Sequence, residues 1–271
     1  MTPPDPVQQS LAAALRPQPA GARPVQGRAR LLVAGAGGAM GAEVLHRLAA
    51  SGLFAHTEVL VTAPMVMMLP RVVAAPVGLN DLNAWPVVAQ RADTAVVMFE
   101  PPRLANDRER VFFTPLPAQL PVLARWLQQS GVQTLVVVMP HAPGRLPDAL
   151  KRGLANLDEQ SVAALGFERV LLVRSAAVPV VAGAASLPEK LARWMLSISN
   201  YMIPANEQPV RPARVAEFIE AALRVLPPGT HVAAPELLHR ASPARRQARA
   251  PTITMAQVVH DWLAGVPAPA D

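Results

Sequence analysis

The residue types and spacing best suited to chemistry in this chain lie in Gly35-Ala36-Gly37-Gly38-Ala39-Met40-Gly41. An apolar run, Leu31-Leu32-Val33-Ala34, leads into this turn, and a segment with Val44, Leu45 and Leu48 on one helical face leads out. Strand, glycine-rich turn and helix in that order bring backbone N–H groups to bear on an anion, the arrangement that holds a nucleotide pyrophosphate. Gly35 closes the turn, Gly37 or Gly38 lets the backbone approach the anion, and Gly41 permits close helix packing. The first amides of the helix, from Gly38, Ala39, Met40 and Gly41, then face the phosphates. The competing account is that such a turn is kept for packing after cofactor binding has been lost.

Other candidates stand further along. His141 follows a strongly apolar run at the sheet edge where ligands bind in open α/β folds, and its imidazole can act as acid or base. Its alternative is a solvated loop histidine. Asn200 and Tyr201 end an apolar segment near the expected cleft; the alternative there is ordinary capping and packing. Arg174 closes a strand, where a charge is expected to be solvated. The six histidines show no metal-ligand spacing, and there is no cysteine, so thiolate metal sites, disulfides and cysteine nucleophiles are excluded.

The elements that position these residues follow from hydrophobic pattern. Strands are expected at Leu31–Ala34, Glu58–Thr62, Arg71–Ala75, Thr94–Phe99, Thr134–Met139, Arg169–Arg174 and Val232–Ala233. Helices are expected at Ala39–Ser51, Leu120–Ser130, Leu146–Leu165, Pro188–Ser199, Val215–Leu226 and Met255–Leu263. Apolar strands alternating with helices imply an α/β fold, a doubly wound parallel sheet of Rossmann-like type with a small C-terminal helical extension. Residues 1–28 are proline-rich and read as a disordered lead-in or one frayed helix, followed by a nucleotide-binding domain over 29–271 whose C-terminal lobe begins near 176.

Composition narrows the partners. Apolar residues make up 51% of the 271 and charged ones 16%, a globular balance. No apolar run approaches the ~18 residues of a membrane span, and the absence of cysteine fits a reducing, cytoplasmic setting. All but two of the 25 basic residues are arginine, the exceptions being Lys151 and Lys190. The arginines are scattered and aromatics are 4%, so neither nucleic acid nor membrane is an expected partner. One cluster, Arg240, Arg245, Arg246 and Arg249, reads as a solvated loop, with a partner patch as the alternative.

These features together resemble the atypical short-chain dehydrogenase/reductase superfamily, the epimerase-like branch of single-domain dinucleotide-binding proteins. Gly35, Gly38 and Gly41 are similar to its GxxGxxG fingerprint. Gly166-Phe167-Glu168-Arg169 through Arg174-Ser175 resembles a later strand motif, with serine where proline is usual, and Val210–Phe218 resembles the lead into a late helix. The resemblance spans roughly residues 29 to 235 and implies NAD or NADP as cofactor, bound through Gly35, Gly37, Gly38, Ala39, Met40, Gly41 and Thr62, with a small-molecule substrate beside it.

The chain departs from that family where chemistry is done. The resemblance implies a Tyr-x-x-x-Lys pair near residues 151 and 155, which here are Lys151 and Ala155. The single tyrosine, Tyr201, is followed four residues later by Ala205, and the family's serine is missing near Met139-Pro140-His141. After the second strand stands Thr62-Ala63-Pro64, with no acid for a ribose and no arginine for a 2′-phosphate. Glu100, after the fourth strand, would repel phosphate unless paired with Arg103. The expected function is therefore a catalytically degenerate dinucleotide-binding sensor or regulator. Its rivals are an oxidoreductase or isomerase using His141 and Tyr201 as its acid/base groups, and an interaction module that works without cofactor.

Overall fold

The strands are apolar because both faces of the sheet they form are covered. The computed structural model describes residues 29–78, 81–88, 91–101, 107–141, 154, 156–176, 210–240 and 253–266. Within them the strands are β1 (Arg30–Ala34), β2 (His56–Val61), β3 (Val72–Pro76), β4 (Thr94–Met98), β5 (Thr134–His141), β6 (Arg169–Ala176) and β7 (Gly229–Ala233). They form one sheet in the order β3-β2-β1-β4-β5-β6-β7, with every neighbouring pair parallel. The α-helices are α1 (Gly38–Ala50), α2 (Leu120–Gln129), α3 (Leu157–Ala163), α4 (Pro212–Val225), α5 (Pro235–Arg240) and α6 (Met255–Leu263).

Alternation along each strand divides the core in two. Leu31 and Val33 of β1 face a cluster with Val44 and Leu48 of α1, Phe218 and Ile219 of α4, and Val258 and Val259 of α6. Leu32 and Ala34 face the other way, onto Leu123, Trp126 and Leu127 of α2 and Val162 of α3. The doubly wound Rossmann-like α/β fold expected from the sequence is the one observed, and β7 extends the same sheet beyond β6.

The long helix expected over Leu146–Leu165 needs correction. Leu154 is not helical, and the helix begins only at Leu157. Asn156 is extended (φ −145°), and its side chain accepts the Glu159 amide at 2.8 Å, an N-cap that fixes the start. α4 begins three residues earlier than expected, because Pro212 takes the first helical position, where its missing N–H costs nothing. The expected helix at Pro188–Ser199, the N-terminal 28 residues and most of the arginine cluster lie outside the described residues. No helix among the described residues is long and apolar enough to cross a membrane.

This order of strands creates one topological switch point. The chain runs from β1 outward to β2 and β3, then returns to the other side of β1 with β4. The carboxyl ends of β1 and β4 flank this switch point, the place where open α/β sheets bind ligands.

Candidate functional site

The turn Gly35–Gly41 leaves β1 at that switch point. Gly35 has φ +82° and donates its amide to the Phe113 carbonyl at 2.9 Å. A Cβ there would stand 2.0 Å from the Met98 carbonyl oxygen, so the turn lies hard against the end of β4. Gly37 is the N-cap of α1 with extended backbone, and no side chain caps the helix from that position. Gly41 makes the closest approach to the turn's own backbone: a Cβ on it would meet the Gly35 carbonyl oxygen at 2.3 Å and the Ala36 backbone carbon at 2.6 Å. The sequence assigned Gly41 to helix–sheet packing; its tight contact is with the turn itself.

Two amides of this turn, those of Gly38 and Met40, hold carboxylates, and both carboxylates belong to the chain. The Gly38 N–H donates to Glu109 Oε2 at 3.1 Å. The Met40 N–H donates to Glu100 Oε2. Gly38 has φ +77°, and a Cβ at that position would lie 2.7 Å from the same Glu100 oxygen, so the missing side chain makes room for the carboxylate. Glu109 is only 5% exposed, whereas carboxylates are rarely buried without partners. Two carboxylates at a helix start meet the positive end of its dipole, which favours their placement. Glu100, expected to repel phosphate unless paired with Arg103, itself accepts the Met40 amide.

Glu109 reaches the turn because the segment bearing it crosses the sheet edge. A short 3-10 turn, Asp107–Val111, follows Pro101 and the undescribed residues after it. Val111 accepts both the Thr62 amide at 2.7 Å and the Thr62 hydroxyl at 3.1 Å. Phe112 bridges Val61 antiparallel, and the Phe113 amide donates to the Leu60 carbonyl at 2.9 Å. Phe113 is buried and meets Trp85 edge-on, with ring centroids 5.0 Å apart. Residues 107–113 thus form a strap over the carboxyl ends of β1 and β2. Thr62, assigned by resemblance to the cofactor, carries this strap through its amide and its hydroxyl.

The other candidates are distributed as follows. His141 is the last residue of β5, paired in register with Ala176 of β6, at the same carboxyl edge of the sheet. Tyr201, Asn200, Lys151, Ala155 and Arg103 lie outside the described residues. Arg174 corrects the expectation of a solvated charge: it is 2% exposed and pairs with buried Glu159 of α3 at 2.7 Å. Sequence reasoning missed Glu109 altogether. The available signal was Arg108-Glu109-Arg110-Val111-Phe112-Phe113, a charged triplet leading into an apolar triplet shortly after a proline break.

No protein-family model matches this sequence, and no curated protein matches it. Among solved structures, the fold is similar to MoeE5 in complex with UDP-glucuronic acid and NAD, at 14% identity over 75% of each chain and a TM-score of 0.42. It is similar to uronate dehydrogenase from Agrobacterium tumefaciens at 18% identity, over 76% of this chain and 75% of that one, with a TM-score of 0.41. It is also similar to the Bordetella bronchiseptica enzyme WbmF in complex with NAD+ and UDP, at 13% identity over 77% and 72%, with a TM-score of 0.41.

Proposed function

We propose that this chain is an NAD(P)-binding Rossmann-type protein of the atypical short-chain dehydrogenase/reductase superfamily, working as a nucleotide-responsive sensor or regulator. One observation carries the proposal: the glycine turn at the switch point presents amides that hold two anionic oxygens. Those amides, from Gly38 and Met40, would hold the pyrophosphate, with Gly35 and Gly41 shaping the backbone that presents them. The same donors would serve phosphate oxygens once the Glu109 and Glu100 carboxylates that now hold them have moved away.

A bound nicotinamide would supply hydride chemistry. The chain's own contribution is to bind and orient, because its one tyrosine has no lysine four residues on. At the end of β2, where a ribose would lie, Thr62 and Ala63 offer no carboxylate. Binding there rests on shape and on the phosphate amides.

A second reading, an NAD(P)H-dependent oxidoreductase or isomerase, is favoured by the place of His141 at the carboxyl edge of β5. Calorimetric titration with NADH and NADPH tests the first reading, with saturable heat expected and none at millimolar cofactor refuting it. Turnover of a carbonyl substrate that His141→Ala abolishes would move the assignment to the second.

A further inference from the structure

Resting on the dinucleotide reading above, we infer that Glu109 and Glu100 form an internal latch on the cradle, and that a dinucleotide phosphate binds by displacing them. The Gly38 amide cannot serve both Glu109 and a phosphate oxygen, and the Met40 amide is engaged with Glu100 in the same way. The two carboxylates also place like charge where the pyrophosphate must enter. The ligand therefore competes with the protein for its own amides, and its apparent affinity is the intrinsic affinity multiplied by the fraction of molecules in which the latch is open.

The latch is built from two independent parts. Glu100 follows β4 directly, beside Gly38, whose missing side chain admits it. Glu109 rides on the strap, 71 positions from Gly38 in sequence. The strap is fixed on the C-terminal side of Glu109: Val111 is tied to Thr62, and Phe113 is tied to Leu60 and Gly35. Phe113 is further anchored in the core against Trp85. Opening the latch thus requires movement of the Glu109 turn and the Glu100 side chain, while Phe113 holds the strap's far end.

Anything that draws residues 107–111 off the end of β2 would raise nucleotide affinity. This makes the strap a point at which a second signal can be coupled to cofactor binding.

The test is NADH titration of the full chain and of Glu109→Gln, Glu100→Ala and the double variant, each first shown to melt cooperatively. The two single variants lie on different segments, so failure of one to fold leaves the other informative. Each single variant is expected to bind NADH about tenfold more tightly than the wild type, and the double variant more tightly still. Inorganic pyrophosphate is expected to follow the same order. Equal or weaker binding by the variants, with the wild type binding NADH, overturns the latch and leaves the dinucleotide reading standing. No binding by any form at millimolar NADH overturns both.

Discussion

Gly41→Ala sets local preference against tertiary packing, and the two predict opposite signs. Gly41 lies in the first turn of α1, and replacing a helical glycine by alanine normally gains up to about 1 kcal/mol. Here the new methyl would stand 2.3 Å from the Gly35 carbonyl oxygen and within 2.8 Å of Ala36 backbone atoms. Comfortable heavy-atom contact needs ~3.5 Å, so turn and helix must separate by about 1 Å.

Neither side yields easily. Gly35 lies hard against Met98, and α1 is held by fully buried Val44 and Leu48. Overpacking of this kind costs about 3 kcal/mol, leaving a net loss of about 2 kcal/mol after the propensity gain. For a domain of this size that lowers Tm by about 4–8 °C. Differential scanning calorimetry measures it, with Gly52→Ala as the control. Gly52 has φ +72° but nothing within 4 Å of an added methyl, so only backbone strain of about 1 kcal/mol is expected. A Gly41→Ala protein as stable as the wild type, or more stable, would refute the packing argument and with it the rigid shape assigned to the cradle.

Other perturbations follow from charged groups. Burial alone would raise the Glu220 carboxyl, but hydrogen bonds from Arg224 and Arg47 and their charges hold it below the usual carboxylate range. A lowered folded-state pKa stabilises the protein above the unfolded carboxylate pKa, and that stability disappears as pH falls through the folded value. Glu220→Gln should therefore lose stability at neutral pH but not in strong acid. The loss should be no more than about 1 kcal/mol, because both arginines are nearly half exposed; urea midpoints across pH report it. Arg174→Met should cost about 3–5 kcal/mol by stripping buried Glu159 of its ion pair, and Arg174→Met with Glu159→Leu should regain most of that in the same urea assay.

The fold was largely legible because its signals are local. β4 and β5 are continuous apolar runs, and α1, α2 and α4 carry their buried residues on one face. Where a local signal was overruled, a specific contact did it. Asn156 caps a helix inside what otherwise reads as one long amphipathic stretch. Arg174 reads as a solvated strand end, but Glu159 of α3 meets it in the core.

The glycine turn was legible as an anion cradle because strand, turn and helix are contiguous in sequence. Its occupants were not, since Glu100 and Glu109 arrive from 60 and 71 positions away. Only the switch point between β1 and β4 and the antiparallel crossing of Phe112 over Val61 bring them there. Such contacts depend on tertiary closure and leave no periodicity to read.

Whether the first amides of α1 receive a dinucleotide phosphate is read from their own backbone resonances, followed by nuclear magnetic resonance during NADH titration. Gly38 and Met40 are expected to shift most and saturate together, with Thr62 following as the strap gives way. Shifts confined to other parts of the chain, or none at millimolar NADH in both the wild type and the Glu100→Ala, Glu109→Gln double variant, would contradict phosphate binding at these amides.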